Sequence, residues 1–327
     1  MITSDSQTDE DKMKSFSLPS GNSIPAIGLG TWQMEEGVAS EAVATALDVG
    51  YRHIDGAAIY CNEADVGKGL AKGFDSGIKR DDVFVTSKLW NDSHKPEHVR
   101  SALEKSLSDL KLDHLDLYLI HWPVAIKHGN MLPSSGADFI PIDQVPIIET
   151  WQAMEECVAA GLTKNIGLSN FSISKLEDLI SKADTKPAVN QVECHPFLPQ
   201  DELFDFCSKQ GIQLVGYSPL GSGARPERMR GEADPVLFED ETVKEIAAKH
   251  DKSIGQILLS RGVSRGNCVI PKSTNRGRLQ ENLEAVQFAL PEEDVQAIQA
   301  IDISHRYVHG KFFEIAGSPY KAADVWA

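Results

Sequence analysis

Three short apolar runs, GYRHIDGAAIY (Gly50 to Tyr60), VFVTSKLW (Val83 to Trp90) and LDLYLIHWP (Leu115 to Pro123), carry ionisable side chains at or just past their ends: Asp55 with Tyr60, Lys88, and His121. Asp55 to Lys88 and Lys88 to His121 are both 33 residues. One strand, one helix and two loops need about that length. A chain that repeats such a unit, and delivers a polar group at the exit of each strand, builds a parallel barrel with a site on one face.

The rest of the chain fits this constraint. SFSLPSGNSIPAIGLG reads as a hairpin turning at Gly21 and Asn22 that leads into a first buried strand over 26–30. Further strands are expected near 52–54, 83–87, 115–120, 165–168, 188–192, 213–216 and 267–270. Between them lie helical periods: Val99, Leu103, Leu107 and Leu110 after Pro96, then Ile147, Trp151, Met154 and Val158 before Gly161, then Leu203, Phe206 and Cys207 before Gly211. Eight alternations point to a closed (β/α)8 TIM barrel. The rival, an open dinucleotide-binding sheet, wants GxGxxG after a strand, and the nearest match, Gly28 and Gly30, has Gln33 in the third position. Three connections exceed what a barrel needs, 122–144, 218–238 and 302–327, and are expected to be lids or specificity loops. Residues 1–14 read as a disordered polar tail and 15–327 as a single barrel domain.

Composition narrows the partners. A formal net charge of −16 argues against nucleic acid or an anionic membrane and leaves a small molecule. Five scattered cysteines without a CxxC pair suggest a reduced, cytoplasmic setting and no metal cluster. The opening MITSDSQTDEDKM lacks the basic start and apolar stretch of a signal peptide, and no run approaches a membrane span. A monomer or weak dimer is expected.

Tyrosine, with an ordinary pKa near 10, exchanges a proton at neutral pH only if its phenolate is stabilised. A neighbouring lysine would do so, and an aspartate would hold that lysine charged. Asp55, Tyr60 and Lys88 supply this set, and His121 can hydrogen-bond a reacting oxygen. Any one of the four taken alone could be structural; their joint placement is what points to a site. No activated nucleophile, metal cluster or paired carboxylates accompany them, so protonation of an oxygen while a hydride attacks carbon fits best. IPKSTNRGRLQEN, residues 270–282, sets Lys272 and Ser273 at the end of the eighth strand and Arg278 at a helix start, either an anion site or merely a basic loop.

These blocks, with GLSNF, NQVECHP and GYSPLG in order between them, resemble the aldo-keto reductase family, in particular its aldehyde and aldose reductase-like members, from about Phe16 to the end. The resemblance implies NADPH or NADP+ as cofactor, with Tyr60 as general acid, Lys88 lowering its pKa, Asp55 fixing Lys88 and His121 orienting the carbonyl of a small-molecule substrate. It further implies that Ser169, Asn170 and Gln191 hold the nicotinamide amide, that Tyr217 stacks on its ring, and that Ser218, Leu220 and Ser222 line the pyrophosphate. Lys272, Ser273, Thr274, Arg278, Glu281 and Asn282 are assigned to the adenosine end and its 2′-phosphate, and Thr31, Trp32 and Asp55 also to the cofactor site. Trp32, Ile59, Trp90, His121 and Trp122 are assigned to the substrate pocket. His121 separates the chain from the family's double-bond reductases, which carry Glu there. The expected reaction is reduction of small aldehydes or aldoses, with pentose or uronate reduction as an alternative and a non-catalytic cofactor-binding role, known in the family, as another.

Two departures bear on this. Relatives clamp the cofactor loop with a Lys-to-Asp bridge, whereas Gln33 and Ala224 stand at the matching positions here, so looser clamping and faster release are expected. Where aldose reductases place a further Trp, this chain has Glu227; with Arg225 it either forms a polar rim suited to hydroxylated aldehydes or faces solvent.

Overall fold

Short, fully buried runs in β-branched and aliphatic residues make the strands, because both faces of a parallel sheet are covered. The structure, a computed structural model, describes residues 13–231 and 233–327, so most of the expected tail lies outside the described residues. The first two strands, β1 (Ser15–Ser17) and β2 (Ser23–Pro25), pair antiparallel around Gly21, whose φ of 88° suits the turn. This hairpin takes up the chain slightly before residue 15, as the Ala26 amide donates to the Lys14 carbonyl.

Eight strands then run parallel: β3 (Leu29–Gly30), β4 (His53–Asp55), β5 (Phe84–Leu89), β6 (Leu117–Ile120), β9 (Ile166–Ser169), β10 (Val189–Glu193), β11 (Gln213–Tyr217) and β12 (Cys268–Val269). All eight fall where the sequence put them. Several run one or two residues further, so that Lys88, Ser169 and Tyr217 lie inside strands rather than after them. A parallel bridge between Ile27 and Val269 joins the last strand to the first and closes the barrel. Between β6 and β9, the pair β7 (Ala125–Ile126) and β8 (Phe139–Ile140) folds the first long connection into a hairpin.

Helices surround the barrel. The stripe Val99, Leu103, Leu107 and Leu110 of α3 (Pro96–Leu110) is buried, as are Trp151 and Met154 of α4 (Ile147–Ala159). These pack with outward strand residues such as Ile54, Val85 and Tyr118. The barrel interior is a separate cluster of Phe84, Leu117, Leu119, Val189 and Val215, against which the hairpin residues Leu18 and Ile24 pack. With the interior filled and one end covered, the opposite end is left for a site.

Candidate active site

Alternation along the strands sends Asp55, Lys88 and Gln191 inward at the C-terminal end of the barrel. Lys88 has no exposed surface; its ammonium donates to Asp55 Oδ1 at 2.6 Å and to the Gly56 carbonyl at 2.7 Å. Gln191 Nε2 donates to Asp55 Oδ2 at 2.7 Å, while the amide and hydroxyl of Thr31 both donate to the Asp55 carbonyl at 3.0 Å. The carboxylate that pairs with the buried cation is therefore itself held in place. Lys88 Nζ lies 5.2 Å from the centre of the Tyr60 ring. Burial works against the lysine's charge, but Asp55 and Tyr60 outweigh it and raise its pKa above the ordinary value. Burial also raises the Tyr60 phenol, and Lys88 opposes that rise.

Tyr60 sits in a 3-10 turn that leads directly into α2 (Glu63–Asp75). Asn62 and Glu63, just beyond it, anchor that turn. Asn62 Nδ2 donates to the carbonyls of Thr31 at 2.9 Å and Met34 at 3.1 Å, and Glu63 accepts from Ser87 and Ser106. His121 lies just past β6, 5.8 Å from the Tyr60 ring and 5.3 Å from Trp90. Burial first, then Lys88 and His94, hold its pKa well below the ordinary value, so the imidazole is neutral at physiological pH.

These groups open on a cavity of about 730 Å³. Trp32, Ile59, Trp90, His121 and Trp122 all line it, as the sequence reading expected. Each of the three long connections adds a wall: Leu132 and Pro133 from the first, Arg228 and Met229 from the second, Val308, Phe312 and Phe313 from the third. Sequence reasoning named the third connection without its contact residues, because a segment without secondary-structure period gives no facing rule. Trp122 packs edge-on against Phe312 and Phe313 at 5.5 and 5.3 Å and against Trp326 at 5.6 Å.

Thr31, Ser169, Asn170, Gln191, Tyr217, Ser218, Leu220, Ser222 and Lys272 line the same cavity. Ser273, Thr274, Arg278, Glu281 and Asn282 stand outside its wall; Glu281 is engaged by Ser253, and Asn282 is buried. Tyr217 Oη donates to Asn170 Oδ1 at 2.8 Å, and Asn170 Nδ2 donates to the His121 carbonyl at 3.0 Å. Ser218, Gly221 and Ser222 have left-handed backbones that wind the chain along the cavity edge. On α9 (Arg276–Ala285), Arg276 is paired with Asp48 at 2.6 Å, whereas Lys272 and Arg278 have no ion pair among the described residues. Buried amides, a turning backbone along the edge, Lys272 in the wall and Arg278 beyond it fit a phosphorylated dinucleotide.

Of the two residues named as rim or solvent-facing, Glu227 is exposed, but Arg225 is only 5% exposed. The solvent reading of Arg225 is thereby corrected: a carboxylate, two carbonyls and a ring enclose its guanidinium.

A closed parallel barrel with a buried Lys–Asp pair beside a tyrosine defines a class of barrel oxidoreductase. The chain belongs to the aldo/keto reductase family, whose model matches residues 26–303. It is 48% identical over 315 residues to an aldo/keto reductase of Synechocystis sp., covering 96% of each chain. It is also 48% identical to aldo-keto reductase family 1 member A1 of Gallus gallus, covering 89% of each. The fold matches the aldose reductase from Schistosoma japonicum with a TM-score of 0.84 and 37% identity, covering 92% of this chain and 96% of that one. Membership makes the protein an oxidoreductase of small carbonyl compounds that works with a nicotinamide cofactor. No helix among the described residues is long and apolar enough to cross a membrane.

Proposed function

We propose that this protein reduces aldehydes to alcohols with NADPH, and that Tyr60 is the general acid. The observation that carries the reading is the buried Lys88–Asp55 pair, 2.6 Å apart, beneath Tyr60 and beside a neutral His121 in one cavity. NADPH, when bound, supplies the hydride. Ser169, Asn170 and Gln191 would grip its amide and Tyr217 would cover one ring face, leaving the other toward the substrate. Lys272 and Arg278 would neutralise the 2′-phosphate that NADH lacks.

His121, held neutral, offers one N–H to the carbonyl oxygen and orients it toward Tyr60. As negative charge builds on that oxygen, Tyr60 passes its proton to it, and the phenolate left behind is stabilised by the Lys88 ammonium. Asp55 keeps that ammonium charged and in place. Trp32, Trp90 and Trp122 keep water from the reacting atoms. The five free cysteines agree with a reducing, cytoplasmic setting, and we read residues 15–327 as one domain.

Aldoses and small aldehydes are the favoured substrates. Arg228, which lines the cavity and has no ion pair among the described residues, supports a second reading in which the substrate is an anionic sugar such as a uronate. Following NADPH absorbance with glyceraldehyde, xylose, glucuronate and an aromatic aldehyde tests both. Oxidation with any of them is the expected result, and tight cofactor binding with no turnover on all four would refute it. Arg278→Met is expected to reduce the preference for NADPH over NADH by about tenfold or more, read as the ratio of kcat/KM values.

A further inference from the structure

The segment after β11 presents Ser218, Leu220 and Ser222 to the cavity, and one buried arginine ties it to the rest of the protein. Gln33 and Ala224 both face the cavity but carry no charges with which to bridge across it. Arg225, next to Ala224, also borders the cavity, yet it is buried. Its guanidinium donates to the Ser222 carbonyl at 3.1 Å and the Met229 carbonyl at 3.3 Å, pairs with Asp234, and lies 4.5 Å over the Tyr307 ring. Asp234 also accepts from the Gly231 amide at 2.7 Å and stands 3.3 Å from His305 Nε2.

The far side of this strap is the C-terminal segment. Tyr307 Oη donates to the Pro235 carbonyl at 2.8 Å. The amides of Tyr307 and Val308 donate to the buried Glu193 carboxylate at 2.7 Å, and Val308 then lines the cavity. Asp234, between Arg225 and His305, thus joins the segment that faces the cofactor to the segment that walls the substrate.

We propose that Asp234 is a positioning residue: through Arg225 it seats the segment from Ser218 to Met229 against Tyr307, and so sets how fast the cofactor leaves. This rests on the reading that NADPH occupies the cavity. Without Asp234 the buried guanidinium loses its counter-charge, and the contacts it makes within the segment lose their anchor.

Asp234→Asn tests this in two ways. Stopped-flow displacement should show NADP+ leaving about tenfold faster than from the wild-type chain. In the cofactor-free protein, amides of residues 222–229 should exchange faster with far-UV circular dichroism unchanged. Arg225→Lys keeps a cation but loses the planar fork, should move both readouts in the same direction, and serves if the asparagine variant does not fold. A variant that lowers thermal stability while leaving release and exchange unchanged overturns the strap. Failure of the wild-type chain to bind NADPH in a fluorescence titration overturns both the strap and the reading of the cavity; binding with unchanged release overturns the strap alone.

Discussion

At the scale of single residues, an amine with no exposed surface keeps its proton only where opposite charge and oxygen acceptors replace water, and Lys88 has both. Removing one member of such a pair leaves a buried charge uncompensated, at a cost of about 3 to 5 kcal/mol. Because Lys88 lowers the Tyr60 pKa against the rise caused by burial, its loss must raise that pKa further. Lys88→Met is therefore expected to cut kcat/KM for reduction by about 10² or more and to move the alkaline fall in activity to higher pH. A pH profile of kcat/KM checks this; a fall moved to lower pH would contradict it. That Asp55, Lys88 and His121 share one end of the barrel was legible because a strand-exit position in a βα repeat has a fixed direction. Gln191 on Asp55 and Arg225 on Asp234 were not, since partners 136 residues apart, or within an irregular loop, leave no period to read.

At the scale of elements, the three long connections decide the shape of the pocket and pack on one another in one apolar cluster. Gly136 of the first and Gly317 of the third meet backbone to backbone, with the Gly136 amide donating to the Ala316 carbonyl at 3.0 Å. A Cβ on Gly136 would come within 2.0 Å of the Gly317 carbonyl carbon. Gly136→Ala should displace the C-terminal wall and raise KM for an aromatic aldehyde severalfold, with NADPH affinity held within about twofold. Steady-state kinetics beside a fluorescence titration checks it, and an unchanged KM would contradict it. Strands and helices announce themselves by apolar period, so all eight barrel strands were placed from the sequence. The contacts of Phe312, Phe313 and Tyr320 were not, because each depends on a partner far along the chain.

At the scale of the molecule, closure of the barrel encloses side chains that would otherwise titrate near neutrality. His53, wholly buried with its Nε2 3.1 Å from Thr86 Oγ1, has its pKa lowered to about 4, chiefly by burial. A folded pKa below the unfolded one means that the unfolded chain takes up the proton first. Stability is then full above about pH 6.5 and is lost as the pH falls toward 4, by about 3 kcal/mol for this group. Denaturant unfolding of the wild-type chain and of His53→Gln across that range should give a shallower decline in the variant; equal slopes would contradict the assignment.

The whole architecture brings Tyr60 and the cavity to one end of one barrel, and the central claim is that Tyr60 is the proton donor there. Tyr60→Phe removes one oxygen and leaves the Lys88–Asp55 pair, the aromatic wall and the cleft in place. Single-turnover oxidation of bound NADPH by an aldehyde is the direct measurement. The account predicts a rate lower by about 10³ with cofactor affinity within about twofold of the wild-type value. A variant that turns over within tenfold of the wild-type rate would contradict it.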